Sequence, residues 1–336
     1  MNRLYATIIL CLGFFSVQAQ DPNFSQFFVS PLTLNPALTG KFDGTVRVAG
    51  NYRNQWPTIN NAFTTYTASA DMGILKNRIP ENDVFGFGVM MFSDKSGNGA
   101  LQNNVVSFST SYHKALDEEG SNQIGLGFQG SYVNKRLNVV GLNFEDMLRS
   151  DGFTGVTSED FSDKGKLSVS YLDVNAGALY SGTTNGDNNI YLGVSMYHIN
   201  RQKETFNKGE YFLQPRVTVH GGARLPVGEF NAIHFSANYS RQANATNTML
   251  GGAYEWNLNQ QSDAPTSFYV GSWYRFKDAI IPYLGLEFGS FRVGASYDIN
   301  VSSLKAASNM RGGIELSLIY IAKPADHLPK LNCPKF

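Results

Sequence analysis

Apolar and polar residues alternate with a period of two along this 336-residue chain, and the pattern recurs in fourteen segments of about ten residues each. It is cleanest where Phe291, Val293, Ala295, Tyr297, Ile299 and Val301 interleave with Arg292, Gly294, Ser296, Asp298, Asn300 and Ser302. The same sorting sets Ile233, Phe235, Ala237 and Tyr239 against His234, Ser236, Asn238 and Ser240, and Val46, Val48 and Tyr52 against Arg47, Asn51 and Arg53. Successive strand residues point to opposite faces, so each segment has one apolar and one wet face. The segments lie near residues 44–53, 62–72, 84–93, 101–114, 122–134, 166–180, 189–200, 213–225, 230–241, 247–259, 266–276, 280–289, 291–301 and 311–321. An even count of such strands fits a closed antiparallel barrel. Their length matches the ~9–11 residues needed to cross a bilayer at a tilt, whereas soluble strands average roughly 5–6. The predicted fold is all-β, an outer-membrane antiparallel β-barrel of about fourteen strands with a non-regular N-terminal segment.

A charged side chain facing lipid at mid-depth costs on the order of 2–4 kcal/mol, so the polar faces must point inward. Arg216, His220, Arg224, Glu255, Glu287, Arg292, Asp298 and Glu315 are therefore the candidate lumen-facing charged residues. Tyr52, Tyr112, Tyr180 and Tyr320 fall at apolar strand ends, where amphipathic rings form interfacial girdles. Only 16% of residues are charged, against ~25% in an ordinary soluble domain. Short polar or Gly-bearing turns follow at Asp117–Gly120, Thr184–Asp187, Pro226–Glu229 and Lys277–Ala279, and the longest gap, Lys135 to Gly165, reads as a mobile loop. Arg311, Gly313, Leu316 and Leu318 give the last strand the spacing that barrel-assembly machinery reads.

The first nineteen residues read as a signal peptide: Arg3, an apolar stretch from Leu4 to Val17, then Val17-Gln18-Ala19 before a cut near Ala19-Gln20. The chain divides into this leader (1–19), an N-terminal plug or docking segment (20–43), the transmembrane barrel (44–322) and a C-terminal periplasmic tail (323–336). No apolar run beyond residue 20 is long enough for a membrane helix. Basic and acidic residues balance at 27 each, which gives no footprint for nucleic acid. Cys333 alone survives loss of the leader, so there is no internal disulfide framework and no zinc cage of several thiolates.

Chemistry-bearing constellations are weak. Gly125-Leu126-Gly127-Phe128-Gln129-Gly130 spells a dinucleotide fingerprint, but that motif needs a strand-to-helix turn and here falls inside an alternating strand. His220 and His234 lie on adjacent strands and could be cross-strand neighbours, yet two imidazoles without a third ligand make a poor metal site. His113, His198 and His327 are scattered, with nothing pairing them to a nucleophile. The expectation is a protein without catalytic residues, metal or cofactor, not an enzyme.

Asp21 to Gly40 has no sustained period, and its three prolines exclude a helix or a central strand on this reading. Its aromatics need a surface to cover. The segment reads as a plug or partner-docking element built on Asp21, Pro22, Phe24, Ser25, Gln26, Phe27, Pro31, Asn35, Pro36 and Gly40, or as an extended arm with no partner beyond its own chain.

DPNFSQFFVSPLTLNPALTG resembles the mature opening of the PorP/SprF family of type IX secretion system membrane proteins. The similarity continues in Tyr52-Arg53-Asn54-Gln55-Trp56, in Tyr191-Leu192-Gly193-Val194-Ser195 before His198, in Gly294-Ala295-Ser296-Tyr297-Asp298 and in the ending Cys333-Pro334-Lys335-Phe336. Ser30-Pro31 stands where the family has Asn-Pro, and Leu38-Thr39 replaces a tyrosine and a small residue before Gly40. The resemblance implies a fourteen-stranded barrel similar to long-chain fatty-acid transporters, in the cell outer membrane, beside other type IX secretion components. It also implies a periplasmic peptidoglycan-binding lipoprotein or OmpA-like partner, and a secreted client whose C-terminal domain the barrel binds or anchors, such as a gliding adhesin. The alternative is an outer-membrane transporter or channel for small or hydrophobic solutes.

Overall fold

The computed structural model describes residues 21–322 apart from 60–61, 76–77, 141, 156, 159–165, 185–187, 207–209 and 260–265. The leader, the tail and Cys333 lie outside the described residues. Sixteen strands are formed: β1 Val46–Gln55, β2 Phe63–Ile74, β3 Val84–Ser96, β4 Leu101–Ala115, β5 Asn122–Asn138, β6 Leu148–Arg149, β7 Gly152–Phe153, β8 Lys166–Gly182, β9 Asn189–Tyr197, β10 Arg216–Val227, β11 Asn231–Gln242, β12 Ala245–Asn257, β13 Thr266–Arg275, β14 Ala279–Phe288, β15 Phe291–Asn300 and β16 Arg311–Ala322. All but β6 and β7 join one closed antiparallel barrel, which β1 and β16 seal from Val46↔Ala322 to Gln55↔Gly313. The fourteen barrel strands coincide with the fourteen alternating segments to within a few residues. Where they differ, a backbone feature is responsible: the segment read as 189–200 stops at Tyr197 because His198 takes a left-handed φ of 59°. The gap read from Lys135 is shorter, since β5 continues to Asn138, and it contains a 3-10 turn at Glu145–Met147 and the β6–β7 hairpin.

The wall is inside out relative to a soluble protein. On β5, Leu126 and Phe128 are 58% and 59% exposed, while Gly127 and Gln129, which alternate with them, are buried. The outward belt of Leu, Phe, Val, Tyr and Trp would forfeit about 25 cal/mol per Å² in water and forfeits nothing in hydrocarbon. Among the described residues no helix is long and apolar enough to cross a membrane; the strands do it. Tyr52 packs on Tyr66 at one end of the belt and Tyr320 on Phe291 at the other, with ring centroids 5.1 and 5.0 Å apart.

β4, β5 and β8, of 15 to 17 residues, are longer than a crossing requires. Their outward side chains turn polar at the end remote from Val46, where Ser93 bonds Asn104 and Asn134 bonds Ser170 at 2.8 Å each. These strands carry the wall beyond the bilayer. The same end bears the long connections 139–165 and 198–215, whereas the Val46/Ala322 end has tight ones such as 228–230 and 289–290. Outer-membrane barrels keep short turns in the periplasm and long loops outside, so the Val46/Ala322 end is periplasmic.

The lumen is filled by the segment before β1. It contains α1, Pro31–Leu34, and a 3-10 turn at Pro36–Leu38, which corrects the expectation that its prolines exclude helix. Pro31 and Pro36 each occupy a first turn, where the missing N–H has no intrahelical partner to lose and the fixed φ suits the helix. A second single-turn helix, α2, Lys305–Ser308, lies in the β15–β16 loop. The main buried apolar cluster is therefore between plug and wall: Phe27, Leu34, Ala37 and Leu38 meet Leu179, Tyr191, Met249, Trp273 and Ile281.

Candidate functional site

The plug runs the length of the barrel, from Asp21 at the extracellular mouth to Lys41 beside Gln123 near the periplasmic rim. Its first hold is electrostatic. The backbone N–H groups of Ser25 and Gln26 donate to the two oxygens of Glu315 at 2.8 and 3.0 Å, and Ser25 Oγ donates to Asp298 Oδ1 at 2.7 Å. Arg53 bridges Asp298 and Glu315 at 2.7 and 2.9 Å, and Arg275 reaches Asp298 at 3.0 Å. Arg53 and Arg275 thus neutralise the buried Asp298 and Glu315, with the partly exposed Asp278 a further partner of Arg275 at 3.0 Å, and paired charge is the condition under which burial is tolerated. Gln26 adds bonds to Ser296 Oγ and to the Glu315 carbonyl.

Further down, Phe28 lies against Trp273 and Tyr283, with centroids 4.9 and 5.6 Å away. The Leu32 carbonyl accepts from Tyr197 Oη at 2.8 Å and Gln129 Nε2 at 3.1 Å, and the Leu34 carbonyl accepts from Ser195 Oγ at 2.7 Å. Asn35 Oδ1 caps the 3-10 turn by accepting from the Ala37 N–H at 2.8 Å. Its Nδ2 donates to the Ala178 carbonyl and lies 3.0 Å from His220 Nε2. Lower still, Ser111 donates to the Thr39 carbonyl at 2.6 Å and the Gly40 N–H to Asp71 Oδ2 at 2.7 Å. Arg47 pairs with Asp71 at 2.7 Å and donates to the Leu38 carbonyl at 3.0 Å.

This lower contact depends on missing side chains. A Cβ on Gly127 would overlap the backbone of Pro36 and Ala37, one on Gly177 the Asn35 side chain, and one on Gly86 the Thr39 carbonyl. Gly40 has φ +67° and sits against the Gly86 Cα, so both its conformation and its space demand glycine. Gly125 and Gly127 of the dinucleotide-like string are two of the inward glycines of a continuous strand, with no helix following.

All ten candidate residues of the segment lie in the lumen; Phe24 to Gly40 are almost wholly buried, while Asp21 and Pro22 are half-buried at the mouth. Of the eight candidate charged residues, four touch the plug. Asp298 and Glu315 hold Ser25, His220 meets Asn35, and Arg216 pairs with Asp21 at 3.4 Å, donates to the Thr33 carbonyl and covers the Tyr197 ring. The other four pair along the wall, Arg224 with Glu255 at 3.2 Å and Arg292 with Glu287 at 2.6 Å. His220 and His234 are not neighbours: the register sets His220 opposite Asn238 and His234 opposite Arg224. Among the described residues no group of three His, Cys, Asp or Glu side chains is placed to hold a metal.

His198 is the residue that pattern reading passed over. It bridges Asp21 at 2.7 Å and Asp173 at 2.9 Å, latching the plug tip to the mouth. Burial disfavours its charge, but Asp21 and Asp173 outweigh that and hold the imidazole up at about 9. Burial likewise opposes the Asp21 carboxylate, and His198 and Arg216 overcome it, keeping that group well below the usual carboxylate range. No sequence signal marks the latch, because its partners are brought together only by barrel closure.

A closed barrel with a lipid-facing belt and a pinned internal plug defines an outer-membrane β-barrel protein. The sequence profile described as type IX secretion system membrane protein PorP/SprF matches residues 16–320, and the chain belongs to that family. Membership brings with it association with other type IX secretion components; the family is one of secretion-system membrane barrels rather than of enzymes. No curated protein matches the chain. Among solved structures it is similar to the toluene transporter TbuX of Ralstonia pickettii, at 12% identity and TM-score 0.48 over 87% of this chain and 92% of that one. A Pseudomonas aeruginosa FadL homologue (9%, TM-score 0.44, 85% and 92%) and the translocator domain of the Neisseria meningitidis autotransporter NalP (11%, 0.41, 84% and 90%) are also similar.

Proposed function

We propose that this protein is a non-enzymatic anchor of the type IX system that binds the C-terminal domain of a secreted surface protein, such as a gliding adhesin, at its extracellular end, and meets a peptidoglycan-binding lipoprotein or OmpA-like protein at its periplasmic end. The observation that carries this reading is the plug: it occupies the lumen from mouth to rim and is held along its whole length by hydrogen bonds, buried ion pairs and glycine seats. A wall so filled is suited to holding rather than to passing a folded chain. Binding then belongs to the extracellular loops 139–165 and 198–215, the half-buried tip at Asp21 and Pro22, and the short turns and tail on the periplasmic side. A leader cut near Ala19-Gln20 delivers the chain to that membrane.

The test is affinity purification of the tagged barrel from detergent-solubilised outer membranes, with mass spectrometry of what stays bound. Recovery of a large secreted protein together with a periplasmic anchor is expected, and exchange of the 198–215 loop for a short turn should lose the secreted protein alone. A barrel recovered without either partner, and liposomes made permeable to solutes by it, would replace this reading with the transporter one.

A further inference from the structure

Beneath the 198–215 loop, between the wall and the upper part of the plug from Asp21 to Leu34, lies a cavity of about 100 Å³ that neither fills. Its setting is unusual for this lumen. Phe92, Val105, Val133 and Tyr171 are direct cross-strand partners and form an apolar rung across β3, β4, β5 and β8, where the inward face is otherwise largely polar. Leu213 of the loop closes on Val133 and Tyr171, and Glu204 pins the loop by accepting from Lys135 at 2.6 Å and Tyr171 Oη at 3.0 Å.

A second, independent observation concerns hydrogen bonding. Asn238, 6% exposed, and Asp173, 3% exposed, line the same cavity, and each has one buried oxygen without a partner; Arg216 Nε is a buried donor in the same state. Buried polar atoms are nearly always satisfied, so acceptors and a donor left open around one cavity call for a group that both donates and accepts. The charges at the rim are already matched: Asp21 and Asp173 with His198 and Arg216, Glu204 with Lys135. A charged guest would upset that balance in a poorly hydrated place.

We propose that the cavity is a binding site for a compact neutral molecule with an apolar body and a hydroxyl at one end. The body lies on the Phe92–Tyr171 rung, and the hydroxyl donates to Asn238 Oδ1 and accepts from the Arg216 Nε–H. This assignment stands apart from the anchoring reading, since it concerns the purified barrel alone.

Phenol and toluene serve as probes in calorimetric titrations of the full mature protein in detergent. Val105→Trp, which fills the cavity, reports partition into the micelle, and heat-modifiable gel mobility confirms that each variant is folded. Phenol should bind wild type at least tenfold more tightly than toluene, Val105→Trp should reduce both to background, and Asn238→Leu should bring phenol down to the toluene level. Equal binding of the two probes, phenol binding indifferent to Asn238→Leu, or wild type indistinguishable from Val105→Trp because water alone fills the space, would each overturn the proposal.

Discussion

Residues 24–27 and residues 35–40 of the plug share one lumen, yet charges grip the first group and shape grips the second. Around Ser25 and Gln26 the wall supplies Glu315, Asp298, Arg53 and Arg275. Around Asn35 to Gly40 it supplies inward glycines, hydroxyls and one imidazole, with Asp71 and Arg47 at the bottom. A buried ion network seldom stabilises more than well-packed apolar groups of the same volume would, but it is costly to leave half-made. The charged grip therefore fixes the register of the plug, because one residue of slip strands four ionised groups. The packed grip supplies hold, and it tolerates no added volume.

The largest effect should come from breaking the charged grip on one side only. Glu315→Ala leaves the Ser25 and Gln26 N–H groups without a partner and Arg53 without one of its two carboxylates, and should cost about 3–5 kcal/mol, read as a lower thermal unfolding midpoint. The double variant Arg53→Met, Glu315→Met should cost less than the two single substitutions summed, which a double-mutant cycle measures. Simple additivity would mean that the pair does not act as a unit.

The packed grip yields a smaller effect with a built-in control on the same strand. Gly127→Val drives a side chain into the backbone of Pro36 and Ala37 and should cost roughly 1–3 kcal/mol by overpacking. The barrel should persist while the lower plug loosens, exposing Lys41 to limited trypsin digestion. Gly130→Val, where a Cβ meets nothing within 4 Å on the lipid side, should leave the digestion pattern unchanged. Equal digestion of the two variants would remove the steric account of the lower grip.

How much of this was legible in the chain differs between wall and plug. The wall is read from period two because each strand answers only to its two environments, lipid and lumen, and both are written locally. Phe291 to Asn300 shows the limit of that legibility: alternation says that Asp298 faces inward, but not that it meets Ser25, Arg53 and Arg275. Those contacts depend on closure between β1 and β16. Alternation places Gly86, Gly127 and Gly177 on inward faces, and only the path of the plug turns them into seats. The helical turns at Pro31 and Pro36 escape the pattern for a local reason, since proline breaks a helix from its interior but suits its first turn.

The smallest expected effect is at the tip, in the Asp21–His198–Asp173 latch. A histidine between carboxylates invites the expectation of release in acid, but the signs run the other way. The folded imidazole is raised from the ordinary value near 6.5 to about 9, so its contribution is complete below 6.5 and is lost as pH rises through 9. Asp21 is depressed, so its contribution is present above the ordinary carboxylate value of roughly 3.9 and is lost only as pH falls below it. The latch should therefore hold through mild acid and open in mild base. A nitroxide attached through Asn23→Cys, in a Cys333→Ser background, should give a broad, immobilised spectrum at neutral pH that sharpens as pH passes about 9, with the barrel still folded. His198→Asn should give the sharp spectrum already at neutral pH and abolish the transition. A spectrum that sharpened on acidification instead would mean that protonating the carboxylates, not deprotonating His198, frees the tip, and Asp21 would then be held by Arg216 rather than by the imidazole.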